Sequence, residues 1–421
     1  MQKILPLLKP STSLNEFFYQ PLHAVFDQLE HRYPCPELDD ELWLRIGIER
    51  VLEEAPSGRG FLQEHRLRLE SLPKVSNYFE SLKSRRRADL AQEVNAAVVG
   101  VAEAGLPDRL KNIPELENYE VFAGDGHWHR GAEHDAQGAK GKVATGHFYS
   151  LNLRRHTLRH LAVNEYPKEN DMHVLKRLKP KGLRQGVPKG RRVLLIYDRA
   201  GIDFGFWKRC RKECAVYFVS RVKEGMVFEW LWSALWDRKD PRNAGVTEDR
   251  RVHTREGHMM RIVRYTEPVT GEEFEFLTNE PDLPPGVIVE LYRRRWEIEK
   301  VFDDLKNKLG QQQSWSSHAQ GKRAQGQLVA LTHNLLLLAE ARLEEQSGVV
   351  NQAEDRRREK RQLEVRRVAR KSGRKVSSLL LSLRRASQRS VKFIRWLRGG
   401  MKSGATVEQA VPILMASYAT L

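Results

Sequence analysis

An α/β fold, a mixed sheet with flanking helices and an α-helical region ahead of it, is what the sequence predicts, and three observations predict it. The first is a continuous apolar run ended by an acid, Arg192-Val193-Leu194-Leu195-Ile196-Tyr197-Asp198, which reads as a strand buried on both faces. The second is the set of short alternating segments before it, Tyr119 to Ala123, His147 to Arg154 and Thr157 to Asn164, joined closely enough for an antiparallel meander. The third is helical periodicity on either side, with Phe17, Phe18, Leu22, Val25, Phe26 and Leu29 early and Leu328, Leu331 and Leu335 to Leu338 late.

At 421 residues the chain has room for two or three domains. Lys plus Arg number 72 against 55 Asp plus Glu, a net charge of +17, which calls for a densely anionic partner, and nucleic acid answers that best. A membrane is the competitor. No apolar run approaches the length of a transmembrane span, and Met1 to Pro10 is too short and too broken by proline for a signal peptide, so a soluble cytoplasmic protein is expected. Cys35, Cys210 and Cys214 are too few for a disulfide framework, and Cys210 and Cys214 lack the further Cys or His that a zinc site needs.

Taken in order, residues 1–112 read as a helical domain. Ser13 can cap its first helix and Asp39 or Asp40 its second; Pro56-Ser57-Gly58 is a break, Phe61 to Leu72 a third helix, and Ser76 starts another that runs through Arg85-Arg86-Arg87 to Ala104. In residues 113–345 the first strand runs into Gly124-Asp125-Gly126. An Asp between glycines at a strand's carboxyl end can meet a ligand closely, and a plain Asp-Gly turn is the bland alternative. Asp198, ending the buried strand, is the second such acid, since ligands gather outside the carboxyl ends of strands in open α/β sheets. Asp203 caps the helix after it. Pro167 to Leu178 is a packing helix. At about 221–285 lies a β-rich insertion with Val227 to Trp236, a strand at Arg261 to Tyr265, a turn at Thr270-Gly271 and a strand at Glu273 to Leu277. Its Trp230, Trp232 and Trp236 read as core, with base stacking as the other use of an indole. His127, His129, His134 and His147 are expected at phosphate or on the surface, having no zinc-ligand spacing. Residues 346–421 form a basic tail, helical or partly disordered, suited to DNA contact.

The third acid comes from a long helix opened by Pro284-Pro285-Gly286. At about 100° per residue, Leu291, Ile298, Val301, Phe302 and Leu305 share one apolar arc. Tyr292, Arg295, Glu299 and Lys306 form a stripe along its border, and Glu297 falls on the far side, where it should be solvated. A phenol, two cations and a carboxylate along one edge can hold a phosphodiester beside a metal ion; a salt-bridged amphipathic helix with Arg295 paired to Glu299 is the simpler alternative.

The spacing Tyr292-x2-Arg295-x3-Glu299-x6-Lys306, with Trp296 and Ile298 flanking the glutamate, resembles the Tyr-Arg-Glu-Lys signature of a class of bacterial insertion-sequence transposases. Gly124-Asp125-Gly126 and Tyr197-Asp198-Arg199 resemble that family's two Asp segments, and the element order (three strands, helix, strand, helix, strand, then a helix with the last acid) is that of an RNase H-like domain. The resemblance implies Asp125, Asp198 and Glu299 as a catalytic trio holding two Mg²⁺ ions, with Mn²⁺ as an alternative. It implies Tyr292, Arg295, Lys306 and Trp296 as DNA contacts, and the helical residues 1–112 as a DNA-binding domain for the transposon ends. The reaction it implies is cut-and-paste transposition: hydrolysis at terminal inverted repeats, a hairpin intermediate, then strand transfer into double-stranded target DNA. A homodimer at paired ends and a cytoplasmic, nucleoid-associated location follow. Two other classes fit the same residues: an RNase H-like DNA endonuclease without strand transfer, and a non-catalytic DNA-binding repressor of transposition.

Overall fold

In the computed structural model of the protein the described residues are 9–29, 38–53, 57–66, 74–138, 141–167, 169–382 and 388–419. Helices α1 (Leu14–Phe26), α2 (Asp40–Leu52), α3 (Gly58–Arg66), α4 (Val75–Ser81) and α5 (Arg85–Gly105) come first. Ser13 caps α1, accepting the Glu16 N–H at 3.1 Å. Of the two acids ahead of α2, Asp39 is the cap, 2.7 Å from the Leu42 N–H. Asp40 is buried instead and ion-paired to Arg86 at 2.6 Å. The single helix expected from Ser76 to Ala104 is two, because the chain turns at Leu82 to Ser84 and Ser84 caps α5 anew. Cys35 and the end of the expected Phe61 to Leu72 helix lie outside the described residues.

The strands are β1 (Tyr119–His129), the small hairpin β2 (Gln137–Gly138) and β3 (Gly141–Lys142), β4 (Thr145–Asn152) and β5 (Leu158–Val163). After α6 (Asp171–Leu183) come β6 (Arg192–Ile196), α7 (Phe204–Cys214) and β7 (Val216–Arg221). The insertion supplies β8 (Phe228–Ser233), β9 (Val246–Thr254), β10 (Met259–Thr266) and β11 (Glu273–Thr278). Then follow α8 (Pro285–Arg294), α9 (Trp296–Asn307), α10 (Ala319–Ser347), α11 (Gln352–Lys371), α12 (Ser378–Ser382), α13 (Val391–Ser403) and α14 (Val407–Ala419).

One sheet carries nine of these strands in the order β5-β4-β1-β6-β7-β11-β10-β9-β8. Its first five are the RNase H-like core, antiparallel from β5 to β1 and parallel from β1 through β6 to β7. The insertion is therefore no separate layer: β11 pairs antiparallel with β7, and β10, β9 and β8 continue the ladder. Strand β9 was hidden from the sequence by its charges. Cross-strand pairing absorbs them, with Asp249 on Arg261 at 2.7 Å and Glu248 on Arg264 at 3.2 Å.

Alternation along β1 and β6 divides the interior in two. Val121, Ala123, Leu194 and Ile196 face a large core shared with α1, α2, α5, α8, α9 and α10, while Phe122, Val193, Leu195 and Tyr197 face a smaller one under α6 and α7. Cys210 packs in the smaller core. The amino-terminal helices thus bury their apolar sides on α10 in the same core as the sheet. At the other end of the chain α13 and α14 also join this core, and Thr406 bridges to Ser13 just ahead of α1.

Candidate active site

Register alone brings two acids together. Strands β1 and β6 pair in parallel as far as Ala123 with Ile196, so two residues further on Asp125 stands beside Asp198, on the face of Ala123 and Ile196. Asp125 is not at the end of its own strand, as expected from its glycines, but well inside β1 and opposite Tyr149 of β4. Strand β6 stops at Ile196, so it no longer flanks β1 where Asp125 stands.

Glu299 reaches the same face from α9. The long helix expected here is split at Arg295: the Arg295 N–H bonds the Tyr292 carbonyl at 3.0 Å and the Ile298 N–H bonds the Arg295 carbonyl at 3.1 Å. Such three-residue bonds wind by about 20° more per residue than an α-helix. The side of α9 that carries Glu297 is nevertheless covered, by His156 and Arg294. Far from being solvated, the glutamate side chain is 1% exposed, 3.0 Å from His156 Nε2 and 3.4 Å from Arg294 Nη1, with Arg294 itself fully buried and 3.4 Å from Glu290. Burial works against the ionised carboxylate, but His156 and Arg294 outweigh it and hold the group at about 2.

Around the three acids Tyr292 and Arg295 close a short circuit. The Tyr292 hydroxyl donates to Asp198 Oδ1 at 3.3 Å. Arg295 donates to Asp125 Oδ2 at 3.4 Å and to Glu299 Oε1 at 2.7 Å, its guanidinium 5.9 Å from the Tyr292 ring centroid and 5.7 Å from that of Trp296. Burial, and then repulsion from Glu299 and Asp198, push the Asp125 carboxyl up to about 6, against the pull of the Gly126 N–H and Arg295. Lys306 is exposed two turns along α9, and Trp296 is 59% exposed at its start.

Hard carboxylate oxygens are the donors a divalent cation of the Mg²⁺ type takes. The donor chemistry fits. In this conformation no three His, Cys, Asp or Glu side chains among the described residues stand close enough to enclose an ion, and Arg295 is the cation lying between Asp125 and Glu299.

Several other expectations are corrected. His127, His129 and His147 are buried, ring against ring with His160 at 4.6–5.3 Å, and burial lowers all four so that they are neutral; His127 also lies 5.0 Å from Phe302 of α9. The strand period would have found this, since His127 and His129 share the parity of Ala123 and Asp125. Trp230 and Trp232, read as core, are 62% and 48% exposed on the edge strand β8, while Trp236 is half-buried with Arg238 4.8 Å over its ring. Asp203 caps α7 at 2.7 Å from the Phe206 N–H and pairs with Lys176.

A mixed sheet of this topology, with flanking helices and an α-helical region ahead of it, has the RNase H-like architecture. The chain matches the transposase DDE domain model over residues 120–335 and belongs to that family. Among solved structures it is similar to a piggyBac transposase synaptic complex with hairpin DNA, at 10% identity and a TM-score of 0.40, over 97% of this chain and 81% of that one. No curated protein gives a significant sequence match. Among the described residues no helix is long and apolar enough to cross a membrane.

Proposed function

We propose that the protein is a cut-and-paste transposase that cleaves DNA at the ends of an insertion sequence, through a hairpin intermediate, and joins those ends to a target duplex. The observation that carries the reading is the convergence of Asp125, Asp198 and Glu299, from three separate elements, on one face of the sheet with Tyr292 and Arg295 bonded among them. Family membership over the same residues supports it.

Asp125, Asp198 and Glu299 would hold a pair of Mg²⁺ ions, or Mn²⁺ in their place. When bound, these supply activation of a water or DNA 3′-hydroxyl and charge stabilisation on the leaving oxygen. The protein's own groups do the rest. Arg295, now shared between Asp125 and Glu299, is a planar donor fork that a phosphate can take over in two-point fashion. The Tyr292 hydroxyl is within reach of Asp198 and of any phosphate oxygen lying beside it. Lys306 extends the cationic line along α9, and exposed Trp296 offers a face on which an unpaired base can stack. Because two transposon ends are processed together, the working form contains at least two protomers.

The test is purified protein, Mg²⁺ and a duplex carrying the terminal inverted repeat that borders the coding region. Asp198→Asn should abolish cleavage while leaving the affinity for that duplex unchanged. Cleavage by Asp198→Asn at the wild-type rate would refute the reading, and cleavage with no joined product would reduce it to an endonuclease.

A further inference from the structure

The carboxyl-terminal segment, expected as a basic tail, is built into the fold. Helix α11 starts at the Asn351 cap, whose side chain accepts the Glu354 N–H at 3.3 Å, and stops at Ser372 and Gly373. Beyond it Arg374 donates to the Pro268 and Val269 carbonyls at 3.4 and 3.2 Å, and Ser377 donates to the Arg242 carbonyl at 2.8 Å. A side chain on Gly271 would collide with Arg374, so the glycine of the β10–β11 turn is what lets the guanidinium seat there. One side of α11 is covered: Ala369 is buried, Val365 and Val368 are half-buried, and Arg358 is bonded to Asp355 at 2.7 Å.

The other side is a line of cations. Of the 20 residues of α11 nine are Lys or Arg and four are Asp or Glu, a net +5 out of the chain's +17. At about 100° per residue Arg356, Lys360, Arg367 and Lys371 fall within about 60° of one another, and at about 1.5 Å of rise the line is about 22 Å long. Glu364, on the same side, is taken by Arg367 at 2.7 Å. Arg356, Lys360, Arg370 and Lys371 are exposed and form no ion pair among the described residues. A protein partner would need an apolar centre, for which this face offers Leu363 alone; a polyanion needs none, since neutralising phosphates itself drives binding. The placement points the same way. Thr278 of β11 is opposite Val219 and Phe276 opposite Arg221, so the β10–β11 turn lies at the end of the sheet where β6 stops and Asp198 stands. The Phe276 ring is 5.0 Å from that of Tyr292, and Gly271 is five residues, about 17 Å, further out.

We propose that the outward face of α11 is a docking surface for the sugar–phosphate backbone of duplex DNA, indifferent to sequence. It grips the duplex whose strand enters the pocket, about five or more base pairs from the reacting bond, since base pairs rise by about 3.4 Å. The inference rests on the DNA-processing reading above and adds to it a contact outside the pocket. It also gives Arg374 and Gly271 a purpose, which is to fix the cationic helix at the end of the sheet that carries the acids.

The experiment compares two variants of the full-length protein without metal, so that nothing is cut. One carries Arg356→Gln, Lys360→Gln, Arg370→Gln and Lys371→Gln. The other carries Lys208→Gln, Arg209→Gln, Arg211→Gln and Lys212→Gln, which removes the same charge from the exposed side of α7. Binding to a random-sequence duplex is followed by fluorescence anisotropy from about 0.05 to 0.2 M salt. The α11 variant is expected to bind about tenfold or more weakly at about 0.1 M, with log affinity against log salt shallower by about 3 to 4, while the α7 variant follows wild type. Gln is a good helix former, so Tm should not move; if it does, Lys360→Gln with Lys371→Gln is read instead, at half the change in slope. On a terminal-repeat duplex, hydroxyl-radical footprinting should show protection about five or more base pairs from the cleaved bond that the α11 variant loses. A wild-type slope, equal losses in the two variants, or an unchanged footprint overturns the proposal. Asp198→Asn keeps every cation of α11 and should bind the random duplex as wild type does, so the docking surface and the cleavage reading fail separately.

Discussion

Glu297 and Glu299 are two residues apart on α9, and substituting each by Gln should separate stability from chemistry. Glu297→Gln removes the charge that faces His156 and Arg294 in a place with 1% side-chain exposure. Arg294, fully buried, then keeps only Glu290 as a counter-charge. Breaking a buried charge pair from one side costs about 3–5 kcal/mol. With 421 residues the unfolding entropy is about 0.9 kcal/mol/K, so Tm should fall by about 3–6 °C. Glu299→Gln loses a pair with Arg295 that is one-third exposed on the glutamate side, worth at most about 1 kcal/mol. Its Tm should hardly move, whereas end cleavage should vanish. The carboxyl of Glu297 sits at about 2 against an ordinary 4.5, so its stabilising contribution is complete above 4.5 and is lost as pH falls from there towards 2. Calorimetry and denaturant unfolding of both variants at neutral pH make the comparison. A Tm for Glu297→Gln within a degree of wild type would refute the argument that Glu297 is an obligatory ion of the core.

Three further outcomes follow from the same geometry. The buried histidines are neutral in the fold, His127 held at about 4 and His160 at about 3 by burial, so the unfolded chain takes up protons first; stability should fall as pH drops from 6.5 towards 4, and His129→Leu should flatten that slope in unfolding titrations. Gly124→Ala drives a methyl into the Tyr197 ring and should cost about 1–3 kcal/mol, most of it recovered in the double variant with Tyr197→Leu; additive losses would show that the collision is relieved elsewhere. Trp230→Ala, on an exposed edge, should change stability by less than about 0.5 kcal/mol. It should weaken binding to an end with unpaired bases by roughly 1–3 kcal/mol in a fluorescence titration, and unchanged affinity would remove β8 from the DNA path.

The core was legible where one signal dominated. A five-residue apolar run marked β6, and the alternation before it marked β4 and β5 within a few residues. Failures came where a tertiary effect outweighed the local pattern. The glycines around Asp125 read as a strand end, but β4 pairs straight across them and carries β1 on to His129. A helical wheel left Glu297 to solvent, because it cannot show that His156 and Arg294 cover the side away from the apolar arc. Strand β9 went unassigned, since no sequence pattern shows that Asp249 and Glu248 will meet arginines on β10. The tryptophans of β8 were given to the core on hydrophobicity, and only the strand's place at the rim of the sheet leaves them in solvent.

The unbroken ladder from β5 to β8 has a mechanical consequence. A hinged accessory module could swing towards whatever DNA arrived, but rungs of backbone hydrogen bonds join the indole-bearing rim to the strands that carry Asp125 and Asp198. The interval between rim and pocket is thereby set as on a rigid gauge.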